Sequence, residues 1–122
     1  VLLVEDDALL AISLARVLRS ACAVLLARTL SEALALVDQG GFDLLLCDYR
    51  LGGECSLPLL QRVAERWPSV RRVVLTADTA SSVQRALPEG VAHVVLEKSI
   101  DVKGLSRVLG LHFGGARFSH GP

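Results

Sequence analysis

Five short apolar runs punctuate the chain: Val1 to Val4, Ala23 to Leu26, Leu44 to Cys47, Val73 to Leu75 and Val94 to Leu96. None alternates between apolar and polar positions. A strand covered on both faces reads this way, as in a parallel sheet flanked by helices, whereas a one-sided antiparallel sheet alternates. The runs are only three or four residues long, which favours strands over helices.

Segments of helical period fill the gaps. Leu10, Leu14, Val17 and Leu18 stand at i, i+4, i+7 and i+8 with Ser13, Arg16 and Arg19 turned away, which predicts an amphipathic first helix. Leu30, Leu34 and Val37 mark a second helix that Gly40 and Gly41 can end, and Leu57, Leu60, Ala64 and Trp67 a third stopped by Pro68. A fourth runs from about Thr79 to Leu87, ahead of Pro88 and Gly90, and a fifth carries Val102, Leu105 and Leu109. The order is (βα)₅. It predicts the α/β class, a doubly wound five-stranded parallel sheet with right-handed crossovers and helices on both faces. Residues 1–113 are expected to form this domain, and Gly114 to Pro122, rich in glycine, a frayed tail.

Composition narrows the picture. The chain has 122 residues and a mass of 13.0 kDa, sized for one domain. A hydrophobic fraction of 52 % and a mean hydropathy of +0.48 supply a rich core and exclude disorder throughout. Thirteen Lys and Arg balance 13 Asp and Glu, and zero net charge argues against broad phosphate neutralisation, so direct nucleic-acid binding is not expected. Cys22, Cys47 and Cys55 make neither an even set nor a CxxC pair, which points away from a disulfide framework and from zinc. No run approaches the roughly 18 apolar residues of a membrane span and no signal-peptide pattern opens the chain, so a cytoplasmic location is expected. The lack of any Met leads to the expectation that the sequence starts after its natural beginning and is cut from a longer chain.

In open parallel sheets ligands bind beyond the carboxyl ends of the strands. Those positions hold Glu5, Asp6 and Asp7 after strand one, Asp48 after strand three, Thr76 after strand four, and Glu97 and Lys98 after strand five. Two carboxylates some 5 Å apart repel by about 3 kcal/mol at an effective dielectric near 20, so a cluster of Glu5, Asp6 and Asp48 invites a cation. An oxygen-only ligand set favours Mg²⁺ over zinc. Taken singly, such residues are more often helix caps, first-turn acids or solvated charges; their agreement across four strand ends carries the inference.

Leu3-Val4-Glu5-Asp6-Asp7, Asp48-Tyr49-Arg50-Leu51, Leu75-Thr76-Ala77 and Lys98, in this order, resemble the receiver domain of two-component response regulators over essentially the full length. The resemblance implies a flavodoxin-like sheet of strand order 2-1-3-4-5 and an aspartyl-phosphate switch in a His-Asp phosphorelay, a phosphoryl acceptor rather than a turnover enzyme. It implies that Asp48 takes the phosphoryl group from a sensor histidine kinase or phosphotransfer protein. Mg²⁺ would be held by Asp6, Asp48 and the backbone carbonyl of Arg50, with Glu5 reaching it through water. Lys98 would pair with Asp48 and later with the phosphoryl oxygen, to which Thr76 gives its hydroxyl and Ala77 its backbone N–H. The response would pass through the fourth helix, fifth strand and fifth helix to a downstream protein, a missing output domain or a second copy.

Three positions depart from the family pattern. Ser99 follows Lys98 where proline is usual, so a trans peptide is expected there. Val95 stands where the family carries a switch aromatic, and Gly52-Gly53-Glu54-Cys55 replaces a loop with proline four residues after the acceptor. These departures favour an alternative, a receiver-like interaction module that works without phosphorylation. A phosphatase of the haloacid-dehalogenase kind needs a second acid two residues after the nucleophile, where this chain has Arg50, and no phosphate-binding glycine loop follows strand one.

Overall fold

The structure is a computed structural model and describes residues 1–113; the tail expected over Gly114 to Pro122 lies outside the described residues. The elements run β1 (Leu2–Val4), α1 (Ala8–Arg19), β2 (Leu25–Ala27), α2 (Leu30–Gln39), β3 (Leu44–Asp48), β4 (Arg50–Leu51), β5 (Glu54–Cys55), α3 (Leu57–Arg66), β6 (Arg71–Thr76), α4 (Ala80–Ala86), β7 (Val94–Glu97) and α5 (Val102–Phe113). The main sheet is parallel and ordered β2-β1-β3-β6-β7. Counting only its own strands, this is the flavodoxin-like order 2-1-3-4-5.

The unalternated runs have a simple cause. Along β1 and β3, successive side chains enter different cores, since strand side chains alternate between faces. Leu2, Val4, Leu45, Cys47, Val74 and Val95 pack with Val37, Leu60, Val63 and Val83 from α2, α3 and α4. Leu3, Leu44, Leu46, Val73 and Leu75 pack with Leu14, Leu18, Leu105 and Leu109 from α1 and α5. Among the described residues, no helix is long and apolar enough to cross a membrane.

Two strands differ from the expected spans by more than a single residue at one end. β2 starts two residues later than expected and ends one later, and as an edge strand it leaves Leu25 exposed. β6 begins earlier, at Arg71, and so draws a buried Arg72 into the sheet. The segment after Asp48 is a small hairpin in which Leu51 pairs with Glu54 across Gly52-Gly53. Both glycines have positive φ, 56° and 87°, as the tight two-residue turn favoured by strand twist requires. Replacing Gly53 with valine should cost about 1–2 kcal/mol, because a β-branched residue is strained there; a melting temperature equal to wild type would show that the turn tolerates it.

Register places the chemistry. Val4 lies opposite both Ala27 and Cys47, Asp48 opposite Leu75, and Thr76 opposite Glu97. The ends of β1, β3, β6 and β7 therefore come level at one edge of the sheet.

Candidate functional site

Glu5 follows the last residue of β1 and is completely buried, while Asp6 is exposed on the turn into α1. Asp7, the third acid of the run, does something different: it is the N-cap of α1, its Oδ1 accepting from the Leu10 N–H at 3.0 Å. The helix-cap reading thus holds for Asp7, while Glu5 and Asp6 reach Asp48 at the end of β3. One carboxylate oxygen from each of Glu5, Asp6 and Asp48 lies within 4.8 Å of the others.

Lys98, just past β7, bridges two of the acids. Its Nζ donates to Asp48 Oδ2 at 2.7 Å and lies 3.3 Å from Glu5 Oε1. The second approach is an ion pair without hydrogen-bond alignment, so Glu5 Oε1 stays buried with no hydrogen bond. Burial, and then the Glu5 carboxyl, push the Asp48 carboxyl up to about 7 against the pull of Lys98. Burial opposes the Lys98 charge, but the Asp48 and Glu5 carboxylates outweigh it and raise its pKa. Asp6 moves the other way: its Oδ2 accepts from the Gly52 N–H at 2.8 Å, and that bond is the main cause of its lowered pKa.

The remaining expected residues lie at or just beyond the ends of β3 and β6. Thr76 is buried at the end of β6, and its oxygen accepts from the Asp78 N–H at 2.9 Å, which leaves the hydroxyl proton free to donate elsewhere. Ala77 follows, exposed. Arg50 opens β4, with its guanidinium 5.4 Å from the centre of the Tyr49 ring. The Lys98–Ser99 peptide is trans. Cys47, beside Asp48, is fully buried, and burial pushes its thiol up to about 12, so it is inert at neutral pH.

Two contributors, Gly52 and Arg28, escaped the residue-by-residue reading, while Glu97, one of the strand-end acids named there, serves as an anchor for α4. Gly52 acts through a backbone N–H, which no residue type announces. Arg28 bonds to the backbone of the acidic loop, and inspecting the end of strand two as the other strand ends were inspected points to it. Glu97 accepts from the Ala80 N–H at 2.9 Å and ties the start of α4 to the end of β7.

The residues present suit a hard divalent cation. Three carboxylates converge, among the described residues no nitrogen or sulfur ligand joins them, and a buried Glu5 oxygen accepts no hydrogen bond.

Comparison with known proteins agrees with this geometry. A family described as the response regulator receiver domain matches residues 1–109. The hydrogenase transcriptional regulatory protein HoxA of Cupriavidus necator is 35 % identical over 81 residues, which are 66 % of this chain and 17 % of that protein. This chain therefore spans about a sixth of the length of that curated relative. A Burkholderia pseudomallei response regulator, crystallised with a phosphorylated aspartic acid, calcium and citrate, is 29 % identical with a TM-score of 0.75, over 89 % of this chain and 63 % of its own. A receiver domain protein from Methanospirillum hungatei shares the fold, with a TM-score of 0.82 at 22 % identity over 93 % of this chain and 91 % of its own. With a matched family over nearly the whole described chain, the sheet order and an acidic cluster paired with a lysine at the sheet edge, this chain belongs to the response regulator receiver domains of two-component signalling.

Proposed function

We propose that Asp48 accepts a phosphoryl group from a phosphohistidine on a sensor histidine kinase or phosphotransfer protein, and that the switch so charged acts through α4, β7 and α5. The observation that carries this reading is Lys98 Nζ set against both Asp48 and Glu5 while Glu5 Oε1 has no hydrogen bond. Such a site holds one cation already and has the charge for another. The phosphorylated aspartate and bound calcium of the 29 % identical Burkholderia relative support the same reading.

In the transfer, an Asp48 oxygen bonds to phosphorus as the phosphorus–nitrogen bond to the donor imidazole breaks. Asp6, Asp48 and the Arg50 carbonyl, with Glu5 acting through water, would hold Mg²⁺, which would supply positive charge against the phosphoryl oxygens. Lys98 shifts from the carboxylate to a phosphoryl oxygen, to which the Thr76 hydroxyl and the Ala77 N–H also donate. The Thr76 loop is then drawn inward. Thr76 lies opposite Glu97, and Glu97 holds the first turn of α4, so the movement has a direct route to that helix.

A landing surface for the donor is offered by α1, the helix that follows the acidic run, where Leu9 and Ile12 are 79 % and 53 % exposed. Exposed apolar side chains beside a site suit a protein partner. The output partner is a downstream protein, an output domain of a longer chain or a second copy.

Two measurements test the reading. Mg²⁺ at ten times its Kd should stabilise the chain by about 1.4 kcal/mol, and Asp6→Ala should abolish the shift; an equal shift in the variant removes Asp6 from the metal site. Beryllofluoride with Mg²⁺ should slow amide exchange in α4 and β7, and unchanged exchange there would overturn transmission through that face.

A further inference from the structure

Parallel pairing between β1 and β2 ends at Val4 and Ala27, with one more backbone bond from the Glu5 N–H to the Ala27 carbonyl at 3.1 Å. Beyond that point the chain turns towards α1, and the Glu5 and Asp6 carbonyls have no strand neighbour to supply N–H donors. The side chain of Arg28 supplies them. Its Nε donates to the Glu5 carbonyl at 3.1 Å and its Nη2 to the Asp6 carbonyl at 2.8 Å. The planar guanidinium spans two successive peptide groups and fixes both.

Arg28 is itself anchored. Its backbone N–H donates to Glu32 Oε2 at 2.8 Å, while the Glu32 N–H donates to Thr29 Oγ1 at 3.1 Å. The start of α2 thus holds Arg28, and Arg28 holds the loop that carries Glu5 and Asp6. The Gly52 N–H fixes the Asp6 carboxylate itself.

We propose that Arg28 is a positioning residue for the divalent cation, aiming the Glu5 and Asp6 carboxylates at Asp48 before the ion arrives; this rests on the metal reading given above. The two physical effects of Arg28 have opposite signs, which makes the proposal decidable. As a positive charge beside a cation site it weakens ion binding, so removing it on charge grounds alone tightens binding. As a clamp it reduces what the loop must lose in freedom when the ion binds, so removing it weakens binding. Groups that orient metal ligands are commonly worth 10- to 100-fold in affinity.

The experiment is calorimetric titration of the intact chain with Mg²⁺, for wild type, Arg28→Ala, Arg28→Lys and Asp6→Ala, together with amide exchange of the Glu5–Asp7 loop without metal. Arg28→Ala should weaken Mg²⁺ binding about tenfold and speed exchange in the loop. Arg28→Lys should bind nearly as poorly, because an ammonium is a compact charge without the guanidinium's planar fork. Both losses should appear at a temperature where melting shows the variants fully folded. Should Arg28→Ala not fold, Arg28→Lys decides alone. Affinity unchanged or tighter in Arg28→Ala, with Arg28→Lys equal to wild type, would overturn the proposal. Absence of saturable binding in wild type would overturn the metal reading itself, and loss confined to Asp6→Ala would keep that reading while rejecting Arg28.

Discussion

Incubated with Mg²⁺ and acetyl phosphate, the chain should gain about 80 Da, one phosphoryl group, and Asp48→Asn should gain nothing. The expected effect is complete because only a carboxylate oxygen can attack at this position, and the amide replacing it is not a nucleophile under these conditions. The substitution keeps size and shape, so loss of uptake will not be a folding defect. It also removes one of three carboxylates crowded within 4.8 Å of one another. Two such charges repel by about 3 kcal/mol at an effective dielectric near 20, which offsets the lost pairing with Lys98. Metal-free Asp48→Asn should therefore melt no lower than wild type while losing the Mg²⁺ shift. Equal mass gain in wild type and variant would place the phosphoryl group elsewhere, and no gain in either would leave the fold as an interaction module that works without phosphorylation.

What the sequence makes legible follows from the kind of force that sets each feature. The five main strands were readable because burial on both faces demands unbroken apolar runs, and Leu2 to Val4 and Leu44 to Cys47 meet that demand without exception. The site was readable because a parallel sheet brings its strand ends level, so Glu5, Asp6, Asp48, Thr76 and Lys98 needed only their order along the chain to be grouped. The run Glu5-Asp6-Asp7 was only partly legible: whether an acid caps a helix or joins a cluster depends on φ and ψ at one residue, and the same residue types serve both. The β4–β5 hairpin was hidden because two residues per strand leave no period to detect, although Gly52-Gly53 announced its turn. Bonds made by backbone groups, such as the Gly52 N–H to Asp6, carry no compositional signal. The roles of Arg28 and Arg72 carry no legible signal for a related reason: each is a cation whose partners are carbonyl oxygens, and those partners can be named only once the loops are placed.

Replacing Arg72 with methionine should cost about 3 kcal/mol of stability. Arg72 is 5 % exposed, and among the described residues it has no ion pair. Burial accordingly lowers its pKa. Its charge is met by carbonyls instead: Nε donates to Val91 at 3.0 Å, Nη1 to Val70 at 2.9 Å and Pro68 at 3.3 Å, and Nη2 to Gly90 at 3.1 Å. These oxygens belong to the loops before β6 and before β7, so one side chain staples both to the sheet. Methionine keeps much of the apolar stem but leaves four carbonyls short of a donor. Each hydrogen bond to a charged group is worth roughly 1.5–3 kcal/mol; taking the low end for these contacts, partial rehydration of the looser loops and relief from burying a charge return about half of the sum and leave about 3 kcal/mol. For a domain of this size the expected loss corresponds to a fall of roughly 10 °C in Tm. Arg72→Lys should fall nearly as far, since an ammonium keeps the charge but not the fork that reaches four oxygens. Thr76 lies four residues along the same strand, about 13 Å away, so the folded fraction of Arg72→Met should still gain a phosphoryl group from acetyl phosphate. A loss under about 1 kcal/mol would show that the loops hold without the staple, and loss of phosphoryl uptake in folded protein would show that the two ends of β6 are coupled.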